Sequence, residues 1–556
     1  MVAEDQLGLV TQDELEEDIA DCSYGSNGNQ KSFSTCSIQL YLACLVAALG
    51  GLLFGYDVGV IAGARSMVAE DMDLTCSEEE LVVSVMPLGA VSASIMSGWL
   101  MNSVGRKYTI QLTSIVFVLG AVIMGAANSL IALLVGRFLV GFGVSLSAMS
   151  ECTYISEIAV ASLRGRLVTL NELGITMGFL FAFVVNYIFM TVESGWRYMF
   201  GLSGIVAAVQ FVLLTMLPKT PHFLVMSGKE EEAIQVLKQM HGLGGVASKR
   251  AIASIKAARQ DESGSSCSFL FSTTDNMRSR LVVGLGLVVA QQVTGQPNIL
   301  YYAMDIARSV GFCGDLLSAS ATVLLGIVKV LATVLAMLLV DRVGRRSLLL
   351  SGIFMLTVSL SCLMITSTYQ HHISGHNEHQ ICVDHDVKLL DSTEMTNCSL
   401  STVPHSIRYL SFAALISYIT AYSFSFGPIT WILLAELYPL QMKPHAMSLG
   451  QAVNWTVNVL VSVTFLDMVN ILSLPGVFAV YFTMGSLSLL FVYFYVPETK
   501  NKTLEEISSH LKQSSPSKHK TFSPMAAVKT QPRSDNIFVP LHQFDLTKDD
   551  ACKIDT

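Results

Sequence analysis

Ionisable and amide side chains stand inside long apolar segments of this sequence, where burying them is expensive. Glu172 and Lys329 each lie near the middle of such a segment, Asp57 lies inside another, and Gln291 and Gln292 are adjacent in a fourth. In hydrocarbon a charge needs an opposite charge or water, and an amide needs hydrogen-bond partners. We therefore expect Glu172 and Lys329 to face each other as an ion pair, because a lone buried charge is the costlier species.

No set of side chains has the arrangement of a catalytic or metal site. We find no nucleophile beside a base and no cluster of metal ligands in a pattern that would face a cavity. Histidines are dense in one polar stretch, which we interpret as a solvated loop. They are His371, His372, His376, His379 and His385. We expect no enzyme activity, no cofactor, no metal and no nucleic-acid partner.

The composition is that of a membrane protein. Of the 556 residues, 52% are hydrophobic and 14% are charged, whereas soluble domains are about a quarter charged. Apolar windows long enough to cross a hydrocarbon layer of roughly 30 Å recur along the chain. They lie near 40–62, 79–101, 108–127, 130–150, 166–190, 197–217, 281–303, 317–340, 347–368, 408–434, 445–469 and 473–496. The sequence thus predicts an all-α protein that crosses a lipid bilayer twelve times.

Basic residues mark one side of this membrane domain. They concentrate in alternate loops, at Arg106 and Lys107, Arg164 and Arg166, 219–280, Arg342 with Arg345 and Arg346, and after Lys500. By the positive-inside rule these loops are cytosolic, which puts both termini in the cytosol. The intervening loops carry few positive charges, such as Arg65, Arg308 and Lys388. The net charge of −9 says little about partners, since its largest source is the acidic tail Met1–Asp21.

One loop, residues 369–407, is long and polar and falls on the side opposite to the basic loops. It contains Asn397-Cys398-Ser399, a sequence that accepts N-linked glycan. We therefore predict a glycan on Asn397. Cys382 and Cys398 share the same loop, and whether they form a disulfide is left open by the sequence.

Short loop motifs occur twice, in the same order. The paired copies are 105–107 and 344–346, Glu157 with Arg164 and Glu436 with Lys443, and 218–220 and 497–499. The spacing between copies increases once, by about the length of the loop 369–407, so this loop is an insertion into a duplicated unit. Two parallel halves with a substrate site between them are the architecture of major facilitator transporters.

The repeated cytosolic motifs have a physical use. An Arg after a Gly turn can bind helix C-termini and an acidic group. We expect the motifs that contain Arg106 and Arg345 to bind acidic groups such as Glu157 and Glu436 when the cytosolic side is closed. Those contacts would break when that side opens. Topogenic charge alone would explain one such motif, but three motif classes repeated in register argue against it.

These features divide the chain into segments. We predict a cytosolic acidic tail, a six-helix bundle, a cytosolic linker, a second six-helix bundle with the insertion, and a cytosolic C-terminal tail. Their bounds are 1–39, 40–217, 218–280, 281–496 with insertion 369–407, and 497–556.

With these motifs in order, the chain resembles the facilitative sugar transporters of solute carrier family 2 from Leu40 to Ile507. The segment 294–298, a Lys in the eighth helix and the long loop after the ninth resemble its class III members 10 and 12, and the loop Lys229–Lys238 favours member 12. The resemblance implies the major facilitator fold and a central sugar site.

In that family, amides and an indole hold the sugar hydroxyls in the cavity. The matching residues here are Gln291, Gln292, Trp431, Asn454 and Trp455. A side-chain amide offers donors and an acceptor to a pair of hydroxyls, and an indole can stack on a sugar face and donate one hydrogen bond. Two alternatives stay open: the glutamines only hold helices together, or Trp431 only marks the membrane interface.

Other positions depart from the family. Pro297 replaces an Asn, with Asn298 one residue later, and Ser423 replaces a Glu. Glu172 and Lys329 stand where the family has a Gln and an Asn. We keep Asn298, Glu172 and Lys329 among the candidate sugar-binding residues, and the preferred sugar stays open.

Asp57 generates a hypothesis about protons. Uniporters of the family have a neutral residue at this position, and their proton-symporting relatives have Asp. Arg137 matches the Arg that partners this Asp in the symporters. A contact between them that forms in one conformation only would couple proton movement to transport. A static ion pair in a uniporter is the alternative.

Together these observations predict a facilitative transporter of hexose sugars in the plasma membrane or endomembranes, working by alternating access. The alternatives are a proton-coupled sugar symporter, a transporter of a related solute such as dehydroascorbate or a polyol, and a sensor that has kept the fold but lost flux.

Overall fold

The computed structural model describes residues 38–159, 164–241, 245–262, 276–312, 314–374, 404–438 and 442–500. Asn397, Cys382 and Cys398 lie outside the described residues, as do most of the two predicted tails. The described residues form α-helices joined by short turns.

The first half contains seven described helices, of which six match the first six apolar windows and one, a short helix between the first two, was not predicted as a separate element. They are α1 (Ile38–Gly59), α2 (Ile61–Asp71), α3 (Cys76–Ser103), α4 (Arg106–Gly125), α5 (Leu130–Ile158), α6 (Arg164–Phe189) and α7 (Gly195–Thr215). Local signals fix several helix starts. Thr75 and Glu78 form a capping box at α3, and the Ser129 hydroxyl accepts a hydrogen bond from the Ala132 amide at α5.

The linker carries three helices that pack under the first half. They are α8 (Pro221–Met226), α9 (Glu230–His241) and α10 (Gly245–Glu262). Lys256 of α10 binds Glu230 of α9, with 2.6 Å between Nζ and Oε1. Buried side chains of these helices share a cluster with Ile155 and Leu214.

The second half repeats the plan with more interruptions. Its helices are α11 (Met277–Val293), α12 (Gln296–Tyr301), α13 (Ala303–Ser309), α14 (Asp315–Val343), α15 (Arg345–Ser374), α16 (His405–Phe424), α17 (Phe426–Leu437), α18 (Lys443–Val463) and α19 (Phe465–Tyr495). Because α15 continues to Ser374, the loop predicted to start at residue 369 starts later. His371 and His372 lie in the last turn of α15 and not in a loop.

Among the described residues, ten helices are long and apolar enough to span a membrane. Two predicted windows are not among them, and each has a structural reason. The window 281–303 is divided among α11, α12 and α13, and α18 carries Gln451, Asn454 and Asn458 on buried faces. The all-α fold with twelve membrane helices in two halves is confirmed.

Small residues bring α1 and α6 into close contact. A Cβ on Gly55 would lie 1.8 Å from the Ile175 carbonyl oxygen, and one on Gly178 would lie 2.1 Å from that of Leu52. Backbones that approach this closely are typical of packing between membrane helices. Between the halves, α6 packs against α14 and α3 packs against α18. These two contacts define the surface along which the halves meet.

Candidate functional site

The seventh apolar window is broken where the glutamine pair ends. Gly295, between α11 and α12, has a φ of 89°, and a Cβ there would lie 2.4 Å from a ring carbon of Tyr481. Glycine is therefore required at this position both because φ is positive and because a side chain would collide with the Tyr481 ring. The Tyr418 hydroxyl donates to the Thr294 carbonyl at 3.1 Å. This bond satisfies a backbone group that the break would otherwise leave exposed in the membrane interior.

A chain of side-chain hydrogen bonds ties the broken window to α18. The Gln292 Nε2 donates to Asn454 Oδ1 at 2.6 Å, and Asn458 Nδ2 donates to Gln292 Oε1 at 3.1 Å. The Tyr301 hydroxyl donates to Asn458 Oδ1 at 3.1 Å. Both polar atoms of Gln292 are therefore used within the second half, so its geometry fits the helix-holding alternative in this conformation.

Gln291 differs from its neighbour. Its Nε2 donates to the carbonyl of Phe426 at 3.1 Å, at the break between α16 and α17. Its Oε1 is buried and has no hydrogen-bond partner in the described structure. The same holds for Ser423 Oγ and Thr430 Oγ1, each one turn from Phe426, and for Trp455 Nε1. An unpaired buried polar atom costs about 1–3 kcal/mol, so a ligand with several hydroxyls would be stabilised at these atoms.

The two predicted tryptophans have different surroundings. Trp455 is buried and its ring lies 5.7 Å from that of Phe54 in α1, so it contacts the other half. Trp431 in α17 is partly buried against a cluster formed by α11, α17 and α18. The helix is interrupted at Ser425, two residues before Gly427-Pro428, with ψ at −92°. Because Ser425 is not helical, α17 is a separate helix and not a straight continuation of α16.

Asn298 uses its amide nitrogen for hydrogen bonds within the second half. Its Nδ2 donates to the Val461 carbonyl and to the Tyr481 hydroxyl, both at 2.8 Å. These bonds brace α12 against α18 and α19. The donors of Asn298 are thus taken up inside the second half, and its Oδ1, which has no hydrogen-bond partner in the described structure, remains for a ligand.

The expected ion pair between Glu172 and Lys329 is absent from the described structure. Their helices, α6 and α14, are packed together, and the two charges interact at longer range. The Lys329 ammonium lies over two rings instead, 5.2 Å from the centroid of Phe179 and 5.7 Å from that of Tyr422. Cation–π contact also stabilises a desolvated ammonium. The flexible Lys329 side chain can therefore lie against aromatic rings without contacting the carboxylate.

A small cavity opens beside Lys329, between α12, α14 and α16. Its lining residues are Gln296, Ile299, Leu300, Lys329, Tyr418, Ile419 and Tyr422. Sequence reasoning missed the two tyrosines of this wall. Their spacing of four residues on α16 places them on one helix face, and that is a signal the sequence offered.

Asp57 and Arg137 are adjacent but not joined through the carboxylate. Both are fully buried. Arg137 Nη1 donates to the backbone carbonyl of Asp57 at 3.1 Å, and its Nε donates to the carbonyl of Val82 at 3.3 Å. Among the described residues neither carboxylate oxygen of Asp57 makes a well-aligned hydrogen bond, although the Ser203 side chain lies close to the carboxylate. The static ion pair that we held as an alternative is therefore not formed in this conformation.

The repeated basic motifs make the same contacts in both halves. Arg106 Nε lies 2.9 Å from Glu157 Oε1, and Arg345 Nη2 lies 3.2 Å from Glu436 Oε1. Each Arg also donates to the carbonyl five residues before it, at the end of the preceding helix. The glycines before them have φ values of 92° and 105°, which few other residues adopt. The side chain of Arg164 is not among those described.

One contact beside these motifs is not repeated. Glu498 accepts hydrogen bonds from the backbone amides of Arg345 and Arg346, at 3.0 and 3.1 Å, and so caps the N-terminus of α15. Lys219 holds the equivalent place in the first half, where its ammonium lies over the Tyr108 ring. The first half therefore lacks this acidic cap.

Two further features were missed from sequence. Glu151 of α5 is fully buried and accepts hydrogen bonds from Ser147 at 2.5 Å and Gln210 at 3.1 Å. Cys76, at the start of α3, is disulfide-bonded, and its partner lies outside the described residues. The sequence raised a disulfide only for Cys382 and Cys398, so this bond was not predicted.

Comparison with known proteins decides the family. Residues 43–511 match the family described as "Sugar (and other) transporter". The chain belongs to the sugar transporter family. It is 37% identical to solute carrier family 2, facilitated glucose transporter member 10, of Danio rerio, across 86% of this chain and 93% of that protein. It is 36% identical to member 12 of Homo sapiens, across 86% of each.

Solved structures agree with this assignment. The sugar transporter chain aligns with the major facilitator superfamily proton:xylose symporter XylE bound to 6-bromo-6-deoxy-D-glucose, with a TM-score of 0.68 and 25% identity. That alignment covers 86% of this chain and all of XylE. An inward-open structure of XylE from E. coli aligns with a TM-score of 0.67 and 26% identity. The predicted resemblance is confirmed.

The different bonding of the two glutamines gives a test. Gln291→Leu removes an unpaired acceptor and is expected to weaken hexose binding up to about tenfold, the effect of one hydrogen bond. Gln292→Leu leaves Asn454 and Asn458 with broken bonds, so it should lower the thermal midpoint of the purified protein more than Gln291→Leu does. Binding titrations and thermal melts measure the two effects.

Gln370→Leu is the control, because Gln370 makes one long hydrogen bond, at 3.4 Å, near the end of α15. Gln370→Leu should change neither hexose binding nor the thermal midpoint. Equal losses of binding and stability in Gln291→Leu and Gln292→Leu would contradict the separate roles.

Proposed function

We propose that this chain carries hexose sugars by facilitated transport, with alternating access of the two halves to a sugar held near the break between α11 and α12. The observation that carries the proposal is the buried Gln291 Oε1, which has no hydrogen-bond partner among the described residues, whereas both polar atoms of Gln292 have one. Trp455 Nε1 supplies an unpaired donor in the same half. A sugar hydroxyl can both accept and donate, so it suits such a pair.

The relatives support the class of substrate. The two relatives described above are named facilitated glucose transporters, and the aligned symporter is a xylose transporter with a bromodeoxyglucose bound. The departures at Ser423 and Lys329 remove a carboxylate and add a cation near the cavity, so we infer that the preference among hexoses differs from that of relatives with Glu and Asn there.

We further propose that both termini face the cytosol and that the protein resides in the plasma membrane or an endomembrane. The basic loops support this orientation. The disulfide at Cys76 supports it independently, because disulfides persist on the exterior or luminal side. Cys76 follows the first membrane helix, on the side opposite to the basic loops.

Uptake into proteoliposomes tests the transport proposal. The purified protein should give saturable uptake of labelled deoxyglucose, and a panel of unlabelled hexoses, polyols and dehydroascorbate should rank its preference. We expect hexoses to compete best. Protein-free liposomes give the baseline. Binding of hexose without uptake above that baseline would favour the sensor instead.

Proton coupling is a second candidate, which the bonding of Asp57 favours. Among the described residues its buried carboxylate makes no well-aligned hydrogen bond, while the adjacent Arg137 is held on backbone carbonyls. The neighbouring guanidinium could take up the carboxylate after a small rearrangement, so the two conformations would differ in whether the acid holds a proton. XylE, a proton symporter by name, supports the same possibility.

An imposed pH gradient separates the two candidates. Under coupling, wild-type protein accumulates sugar when the gradient is applied, and a protonophore abolishes the accumulation. Asp57→Asn should lose accumulation and keep sugar exchange, because it removes the proton site and leaves the cavity intact. If neither the pH gradient nor the protonophore changes sugar uptake by the wild-type protein, coupling is excluded and facilitated uniport is the function.

A further inference from the structure

A buried ion cluster joins the two halves at the end of the bundle opposite to the basic loops. Arg65 of α2 is 3% exposed, and its Nη1 binds the carboxylate of Glu79 in α3. Its Nη2 lies 2.6 Å from Asp305 Oδ2 in α13. The guanidinium also lies 5.0 Å from the ring centroid of Tyr302. Arg65 therefore holds one partner in its own half and two in the other.

A second contact between the halves lies beside this cluster. Glu80 Oε1 accepts a hydrogen bond of 2.9 Å from the backbone amide of Leu466, at the first turn of α19. The rings of Tyr302 and Phe465 are 4.4 Å apart. The two adjacent acids of α3 therefore make different contacts. Glu79 binds Arg65 within the first half, and Glu80 binds the N-terminus of α19 in the second half, where a carboxylate is favourable.

The ionic contact depends on how close the halves are. Arg65 and Asp305 are both buried, with 3% and 8% of their side chains exposed. A buried pair that loses one partner leaves a costly lone charge, whereas charges that separate into water are each rehydrated. The contact therefore stabilises the arrangement in which this end is closed and contributes little to one in which it is open.

We propose that Arg65 is a latch that holds this end of the transporter closed by binding Asp305 across the two halves. The latch rests on the alternating-access transport proposed above. The sequence placed Arg65 among the few positive charges of loops on this side and gave it no role. Arg65 acts on the distribution of conformations and does not touch the sugar site.

Arg308 provides a matched control. It binds the same Asp305, with 3.2 Å between Nη1 and Oδ1, and also Asp315 at 2.7 Å. All three residues belong to the second half. Removing Arg308 therefore takes a cation from Asp305 without removing a link between the halves.

The test measures how often this end opens. Ala62 is 2% exposed and lies three residues before Arg65, on the same face of α2 and deeper in the bundle. In purified full-length protein carrying Ala62→Cys, the rate at which a charged thiol reagent modifies Cys at 62 reports opening. Adding Arg65→Gln or Asp305→Asn should raise that rate about tenfold, a typical size for conformational coupling.

The controls separate opening from unfolding. Arg308→Gln should leave the rate within about twofold of the parent, by the same coupling scale. Ala121→Cys, fully buried between helices of the first half, should stay unmodified in every variant. The double variant Arg65→Gln with Asp305→Asn should react no faster than either single variant. Each single change already removes the same contact between Arg65 and Asp305.

The labelling needs no sugar, so its result stands whether or not the chain transports hexoses. Equal rates in Asp305→Asn and the parent would overturn the latch, as would an Arg308→Gln variant that opens as often as Asp305→Asn. If Arg65→Gln fails to fold, Asp305→Asn alone decides, since it keeps the Arg and removes only the partner across the halves.

Discussion

The hydrogen bond between Gln292 and Asn454 holds the broken seventh window against α18, and the arrangement of the polar side chains around the break depends on it. A helix interrupted inside a membrane exposes backbone and side-chain groups that water cannot reach. Here Asn454 and Asn458 complete the bonding of Gln292, Tyr301 bonds Asn458 in turn, and Asn298 braces the next segment. Within the described structure the adjacent Gln291 keeps an unpaired acceptor. We propose that Gln292 holds the site together and that Gln291 binds the ligand.

The polar side chains around the broken window are mostly neutral. They are amides, hydroxyls and an indole, which suit an uncharged, hydroxylated ligand, and the cavity beside them adds the Lys329 ammonium. The first half supplies three acids, Asp57, Glu151 and Glu172, on different helices. At one end of the bundle Arg65 joins the halves, and at the other end the repeated Arg–Glu contacts lie within each half. The residues that we propose to bind sugar are thus mostly neutral, and those that we propose to control conformation are charged.

Much of this was predictable from sequence, and the failures share a physical cause. The apolar windows and the repeated motifs predict the fold and mark the Arg and Glu residues of the repeated loops as contact residues. Which Arg binds which Glu is given by the structure, where Arg106 pairs with Glu157 and Arg345 with Glu436. The missing contact between Glu172 and Lys329 could not be predicted, since spacing along a chain does not give the rotamer of a long side chain. Arg65 was overlooked because its partners Glu79 and Asp305 come from different halves.

The central claim is that a hexose occupies the second half at Gln291 while the bond between Gln292 and Asn454 stays intact. A structure of the protein with bound hexose tests it most directly. The account predicts a sugar hydroxyl within hydrogen-bond distance of Gln291 Oε1 and an unchanged contact between Gln292 and Asn454. A sugar bound only to the first half, or one that displaces Asn454 from Gln292 and leaves Gln291 unpaired, would contradict it.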